Sequence, residues 1–179
     1  MTAPSLPLLS DGRIRLRAVE PSDLDLIMKW ENDSSLWSVG VTVAPFSRRI
    51  IEEYIASYTA DIYSSCQLRL MVELIATEET VGMVDLYDFS PVNLRAGVGV
   101  LIDGDFSRRG IGLASLLLLE RYCFERLGIH SLYATIPQNN LASRRLFEKA
   151  GYRTSGRLRS WLRHGSSYAD AFLVQRMLG

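Results

Sequence analysis

The chain is predicted to fold as an α/β (α+β) protein, with a mixed, mostly antiparallel sheet of about seven strands and about four helices. Three observations predict this. Short runs alternate apolar and polar residues, other segments repeat apolar residues at helical spacing, and three consecutive strand-like runs are joined by short links. A strand, helix, strand succession in the middle adds a right-handed parallel crossover to the otherwise antiparallel sheet.

Each element follows in order. RIRLRAV, Arg13 to Val19, alternates as a strand with Ile14, Leu16 and Ala18 on one face. Glu20-Pro21-Ser22-Asp23 opens a helix: Ser22 or Glu20 can cap it, Pro21 suits a first turn, and acidic residues favour the positive helix end. Leu24, Ile27, Met28 and Trp30 recur along it at helical spacing. A looser stretch with Gly40 and Pro45 leads to a second helix from near Ser47, carrying Ile50, Ile51, Tyr54, Ile55 and Tyr58. CQLRLMVELIA, TVGMVDLYDFS and LRAGVGVLIDG, linked by TEET and SPVN, form an antiparallel meander. After Asp105-Phe106 the period becomes 3.6 from Gly110 to Leu127, with Gly128 as a C-cap. HSLYATIP is a strand and NLASRRLFEKA a helix ended by Gly151. YRTSGRLRSWLR and SYADAFLVQRML pair as strands through a turn at His164-Gly165. No repeat or linker interrupts the chain, so residues 1–179 read as a single domain.

Twenty basic and twenty acidic residues give a formal charge of +0, which argues against bulk nucleic-acid binding. The zero hides an asymmetry. Acidic residues dominate from Glu20 to Asp61 and arginines from Asp105 to Arg163, so one half would attract a cation and the other an anion. Two ordinary solvated surfaces account for the same charges. The most apolar run, IGLASLLLLERYCFERLG, is interrupted by Glu120 and Arg121 and does not read as a membrane span. The start, MTAPSLPLLSDGR, lacks the basic and apolar regions of a signal peptide. Cys66 and Cys123 read as reduced thiols, so a cytoplasmic location is expected. His130 and His164 are too few and scattered for a zinc site, and no metal is expected.

The most informative segment is Ser107-Arg108-Arg109-Gly110-Ile111-Gly112-Leu113-Ala114, which leaves a strand and enters a helix. The first N–H groups of a helix have no intrahelical partner and carry positive potential. Gly110 and Gly112 let an anion approach them, and Arg108 and Arg109 add charge, which makes a cradle for a pyrophosphate. No Lys-Ser or Lys-Thr follows, as a P-loop needs, and Ser115 stands at the third glycine of a dinucleotide fingerprint. A tight strand-to-helix turn is the plain alternative.

The segment resembles the acetyl-CoA loop of the GNAT N-acetyltransferases, Gln/Arg-x-x-Gly-x-Gly/Ala. NNLASRRLFEKAGY, a helix and a strand further on, is similar to the family's second signature. Within the family, SGRLRSWLRHGSSYADAFLVQRML and WENDSS look like the branch of ribosomal-protein α-amino and spermidine acetyltransferases. The resemblance implies acetyl transfer from acetyl-CoA to a primary amine of a peptide, protein, polyamine or small molecule. It also implies a parallel pair of central strands that splay apart to admit pantetheine. Gly97 and Gly99 suit a bulge starting that splay. Carried over, Val100 and Leu101 pair with the pantetheine and Arg108 to Ala114 hold the pyrophosphate. Asn140 bonds the pantetheine region, and Ser143 and Phe147 lie beside the sulfur. Many relatives dimerise, so a homodimer is possible; neither nucleic acid nor membrane is an expected partner.

The chain departs from the pattern at Ser107, where Gln or Arg is usual, at Phe147, where many members carry a tyrosine acid, and at Gly97, where an acidic residue is common. These departures motivate the alternative of a catalytically degenerate acyl-CoA-binding module. A nucleotide-binding domain of another fold is a third reading. Ser143 is the remaining hydroxyl for an acid, or it only bonds the cofactor. For a base, Asp85 is preferred among Glu73, Asp85 and Asp88, each of which otherwise reads as a solvated strand residue, and Asp170 on the last strand is a candidate for the pocket wall. Cys123 reads as core, and Trp30, Trp37, Tyr54 and Tyr58 either line the acceptor side or pack as core.

Overall fold

The computed structural model describes residues 7–37 and 42–179. Gly40 lies outside the described residues. In β1 (Ile14–Arg17), Ile14 and Leu16 are buried as the alternation predicts, while Ala18 falls past the strand and is exposed. Glu20 and Asp23 then form a reciprocal capping box around a 3-10 turn, the Glu20 N–H donating to Asp23 Oδ2 at 2.9 Å, and α1 (Leu24–Glu31) follows. Asp23 is only 2% exposed because Arg17 binds it with two guanidinium nitrogens. The same Arg17 donates to Glu73 Oε2 at 2.5 Å and to Thr80 Oγ1 at 2.6 Å. Glu73, a base candidate in the sequence, is therefore a buried side chain held by Arg15 and Arg17 rather than a group facing the substrate, and that reading is corrected.

Ser47 caps α2 (Arg48–Ser57) by accepting from the Ile50 N–H. A short α3 (Ile62–Ser65), not foreseen, ends at Cys66 in the left-handed region, so Cys66 precedes the next strand rather than starting it. The meander is β2 (Leu68–Leu74), β3 (Glu79–Ser90) and β4 (Arg95–Ile102). Then come α4 (Ile111–Glu125), β5 (Ser131–Pro137), α5 (Leu141–Lys149), β6 (Arg153–His164) and β7 (Ser167–Met177). Arg126 caps α4 two residues before Gly128. His164 pairs with Ser167, so the hairpin turn is Gly165-Ser166, one residue later than expected. Gly151 follows α5 at φ 91°, where a Cβ would lie 2.0 Å from the Arg176 guanidinium.

The seven strands run β1-β2-β3-β4-β5-β7-β6, and only β4 and β5 are parallel. That pairing lasts from Arg95↔Ser131 to Gly97↔Tyr133. Beyond it β4 stays with β3 as far as Ile102↔Gly82, while β5 stays with β7 as far as Pro137↔Ala171. The central strands therefore splay. The accompanying bulge lies on β3 between Tyr87 and Ser90, with Asp88 at φ 49°, and not at the β4 glycines. Side chains alternate across the sheet. Val84, Leu86, Ala96 and Val98 join the core under α4, whereas Met71 and Met83 pack with Ile27, Trp30 and Ile51 of α1 and α2.

Glu120 on α4 is 4% exposed, with Arg176 Nε 3.0 Å away. Burial outweighs that partner and pushes the carboxyl from its ordinary 4.5 up to about 7. A raised acid pKa makes the folded chain hold a proton that the unfolded chain releases. The contribution is complete below about 4.5 and is lost as pH rises through about 7. At 1.36 kcal/mol per unit, the loss approaches roughly 3 kcal/mol. Denaturation curves of Glu120→Gln should therefore stay flat from pH 5 to 8 while those of the parent fall. A parent equally flat would refute the buried proton.

Candidate active site

The chain leaves β4 through a 3-10 turn, Gly104–Phe106, and exposes Ser107 to Gly110 before α4 begins. Arg108 and Gly110 both take left-handed backbone, at φ 61° and 77°. Such strain in a non-glycine residue gathers at ligand clamps. The first N–H returned to the helix is that of Ala114, which donates to Gly110 O at 3.1 Å. The main-chain N–H groups from Arg108 to Leu113 find no acceptor among the described residues. They form a row of unspent donors at the positive end of a helix dipole.

The predicted loop residues divide within this row. Arg108 is exposed and makes no hydrogen bond or ion pair among the described residues. Arg109, expected to grip phosphate, turns back instead: its guanidinium donates to Asp105 O at 2.9 Å and lies 5.1 Å over the Phe106 ring. Ile111 is 3% exposed and offers only its N–H. Leu113 packs against the core, and Ala114 has already spent its N–H within the helix. A Cβ on Gly112 would sit 3.5 Å from Ile102 and Leu146, an ordinary contact. The protein thus has room for a side chain there, and its lack keeps the donors open to a ligand. Arg13, missed in the sequence, donates to Arg109 O at 2.9 Å and adds a fixed positive charge.

Gly112 also places the loop beside Ile102, the outer end of the gap between β4 and β5. Val100 and Leu101 are half-buried along that gap. On its other side, Asn140 caps α5, its Oδ1 accepting from the Ser143 N–H at 3.0 Å. This leaves the Nδ2 of Asn140 as the group available to a ligand. Ser143 lies three and four residues before Leu146 and Phe147, hence on their helix face. Its Oγ has no partner among the described residues, and the side chain is half-buried. Phe147, expected beside the sulfur, is 3% exposed and packs edge-on against Tyr152 at 4.9 Å, so it backs the site from the core.

Asp85 lies opposite Gly99, two residues past the last parallel pair. It is not the free strand carboxylate of the sequence reading: Arg69 holds Oδ1 at 2.7 Å and Oδ2 at 3.2 Å. Arg69 also binds Glu31 Oε1 at 2.8 Å and lies over the Tyr54 ring, and the Tyr58 ring packs against Tyr54 at a tilt of 54°. Coulombic attraction from Asp85 raises the Arg69 pKa despite burial, so the guanidinium stays charged. Trp30 is core and donates to Asp103 at 2.8 Å, while Trp37 donates to Glu31 O. Asp170 accepts from Arg157 and the Ser160 N–H at the β6 bulge. Asp88 accepts from the Tyr133 hydroxyl at 3.3 Å. Burial pushes the Cys123 thiol far up, which removes it as a nucleophile.

The described residues hold no cluster of metal-ligating side chains, and none of their helices is long and apolar enough to cross a membrane. A family model described as acetyltransferase (GNAT) domain matches residues 13–153. The chain is 23% identical over 145 residues to spermidine N(1)-acetyltransferase of Escherichia coli (strain K12), covering 81% of this chain and 75% of that protein. It is 25% identical over 164 residues to the uncharacterized N-acetyltransferase YoaA of Bacillus subtilis (strain 168), covering 90% and 92%. Its fold matches the crystal structure of spermidine N-acetyltransferase from Vibrio cholerae in complex with CoA and spermine. That match has a TM-score of 0.82 at 22% identity over 94% of this chain and 97% of that one.

Proposed function

The chain belongs to the acetyltransferase (GNAT) domain family, and on that premise we propose that it transfers the acetyl group of acetyl-CoA to a primary amine by direct attack in a ternary complex. The amine belongs to a peptide or protein α-terminus, a polyamine or a small molecule. One observation carries the reading: the unspent N–H row from Arg108 to Leu113, at the outer end of the β4–β5 gap. Relatives with a named activity are acetyltransferases, which does not favour the degenerate module.

The residues fit the cosubstrate. The N–H row and Arg108 take the pyrophosphate, and the unpaired edge of β4 at Val100 and Leu101 takes the pantetheine amides as a neighbouring strand would. When bound, acetyl-CoA supplies an activated carbonyl: the amine nitrogen bonds to it and the C–S bond breaks, while the amine gives up one proton to solvent and the departing sulfur gains one, giving amide and thiol. A β4 N–H in the gap stabilises the charge that builds on the acyl oxygen. Asn140 Nδ2 anchors the arm, and Ser143 Oγ donates towards the departing sulfur.

Asp85 takes a positioning role. Because Arg69 occupies both its oxygens, the amine proton leaves to solvent and orientation carries the step. Asp85→Asn should lower kcat/KM by less than about tenfold, whereas loss of a general base costs roughly 10²–10⁴. A fall of that larger size would restore Asp85 as the base.

The experiment is to follow thiol release from acetyl-CoA with a panel of amino acids, N-terminal peptides and polyamines. Amine-dependent release is the expected result. CoA binding without release across the panel would return the binding module.

A further inference from the structure

We propose that Tyr87 closes the inner end of the β4–β5 wedge and limits the transferred acyl group to acetyl; this rests on the cosubstrate reading above. Tyr87 lies on β3 opposite Gly97, the last β4 residue paired to β5. A Cβ built on Gly97 would stand 2.2 and 2.4 Å from Tyr87 ring carbons, so the ring lies directly across the β4 main chain. The ring is carried past the β4 main chain towards β5. The Tyr133 ring meets Tyr87 edge-on, with centroids 5.9 Å apart, and holds it from the β5 side. The Tyr87 ring therefore crosses β4 from β3 and meets a ring of β5 at the point where the central pairing stops.

This also explains why glycine occupies position 97. Any side chain there would displace the ring, so the acidic residue common in the family gives way to a phenol. Burial pushes that phenol up to about 12, which leaves the wall uncharged at neutral pH.

The dimensions bring the acyl group to this wall. From phosphate to sulfur, the pantetheine arm has as many bonds as about four extended residues, or roughly 14 Å. Val98 to Ile102, at a rise of roughly 3.3 Å per residue, span roughly 13–16 Å. A phosphate held at Gly112, beside Ile102, sets the sulfur near Val98 and Gly99. The carbons beyond it point at Tyr87. An acetyl methyl stops short of the ring, and a butyryl chain runs into it.

The test compares binding of CoA, acetyl-CoA and butyryl-CoA to the full chain by calorimetry, which needs no acceptor. The parent should bind CoA and acetyl-CoA comparably and butyryl-CoA on the order of tenfold or more weaker, the range a methylene or two commands in a shaped pocket. Tyr87→Ala should remove that penalty, and Tyr87→Phe, which keeps the ring, should retain it. Tyr87→Leu, also too short to reach β5, serves if the alanine variant does not fold. A parent that binds butyryl-CoA as well as acetyl-CoA, or a truncated variant that keeps the discrimination, overturns the proposal while leaving the cosubstrate reading intact. Absence of binding by CoA itself overturns both.

Discussion

Gly112→Asp is expected to abolish CoA binding while leaving the unliganded protein as stable as the parent, or slightly more so. The new Cβ meets Ile102 and Leu146 at 3.5 Å, which both can accept. A carboxylate in the first turn of α4 also faces the positive end of the helix and favours the folded state by about 0.3–1 kcal/mol. That same carboxylate occupies the place of the incoming anion. A like charge at about 4 Å costs roughly 4 kcal/mol at an effective dielectric of 20. This corresponds to a loss of about 10³ in Kd, before counting the N–H donors that the carboxylate itself occupies. Titration with CoA measures the loss, and the melting midpoint without ligand guards against unfolding. Unchanged affinity in a folded variant would place the phosphates elsewhere. A variant that loses both stability and affinity would mean that Gly112 serves packing.

The expected opposition of the two effects comes from one helix end, and that end was legible in sequence because it is local. Gly110 and Gly112 stand within a few residues of the donors they uncover, and the switch from alternation to 3.6 periodicity marks where the helix begins. The strands of the meander were legible for the same reason. What escaped the sequence is contact between distant residues. Arg13 reaches Arg109 across 96 positions, and Arg69 claims Asp85 from the neighbouring strand. Nothing in either local pattern announces these partners. Asp85 consequently looked free, and Glu73 looked solvated although two arginines bury it. The splay itself could only be inferred by resemblance, since alternation along β4 continues unchanged past Gly97 while its partner strand departs. Gly97 and Gly99 were noticed as permissive of a bulge, but the bulge needed an extra residue on β3, where Asp88 takes positive φ. Gly97 is glycine for another reason, the Tyr87 ring that crosses it.

Ser143→Ala is the second change expected to have a large effect, and its signature differs from that of Gly112→Asp. The Ser143 hydroxyl makes no hydrogen bond among the described residues, and its N–H is capped by Asn140 regardless of the side chain. Removing Oγ therefore leaves α5 and its cap in place, and neither stability nor affinity for CoA should change appreciably. What disappears is a proton donor on the helix face that adjoins the wedge. Phe147 has no hydroxyl to replace it, and the Tyr152 phenol is buried on the far side of Phe147, beside Glu120. A thiol pKa of about 8.5 makes the leaving group undemanding, so the loss should fall at the lower end of general-acid effects, roughly 10² in kcat. KM for acetyl-CoA should stay within a few-fold, because the interaction is made as sulfur departs rather than in the ground state. Steady-state kinetics on the variant read both parameters together. A raised KM with kcat intact would instead identify Ser143 as a group that holds the cosubstrate and takes no part in the proton transfer.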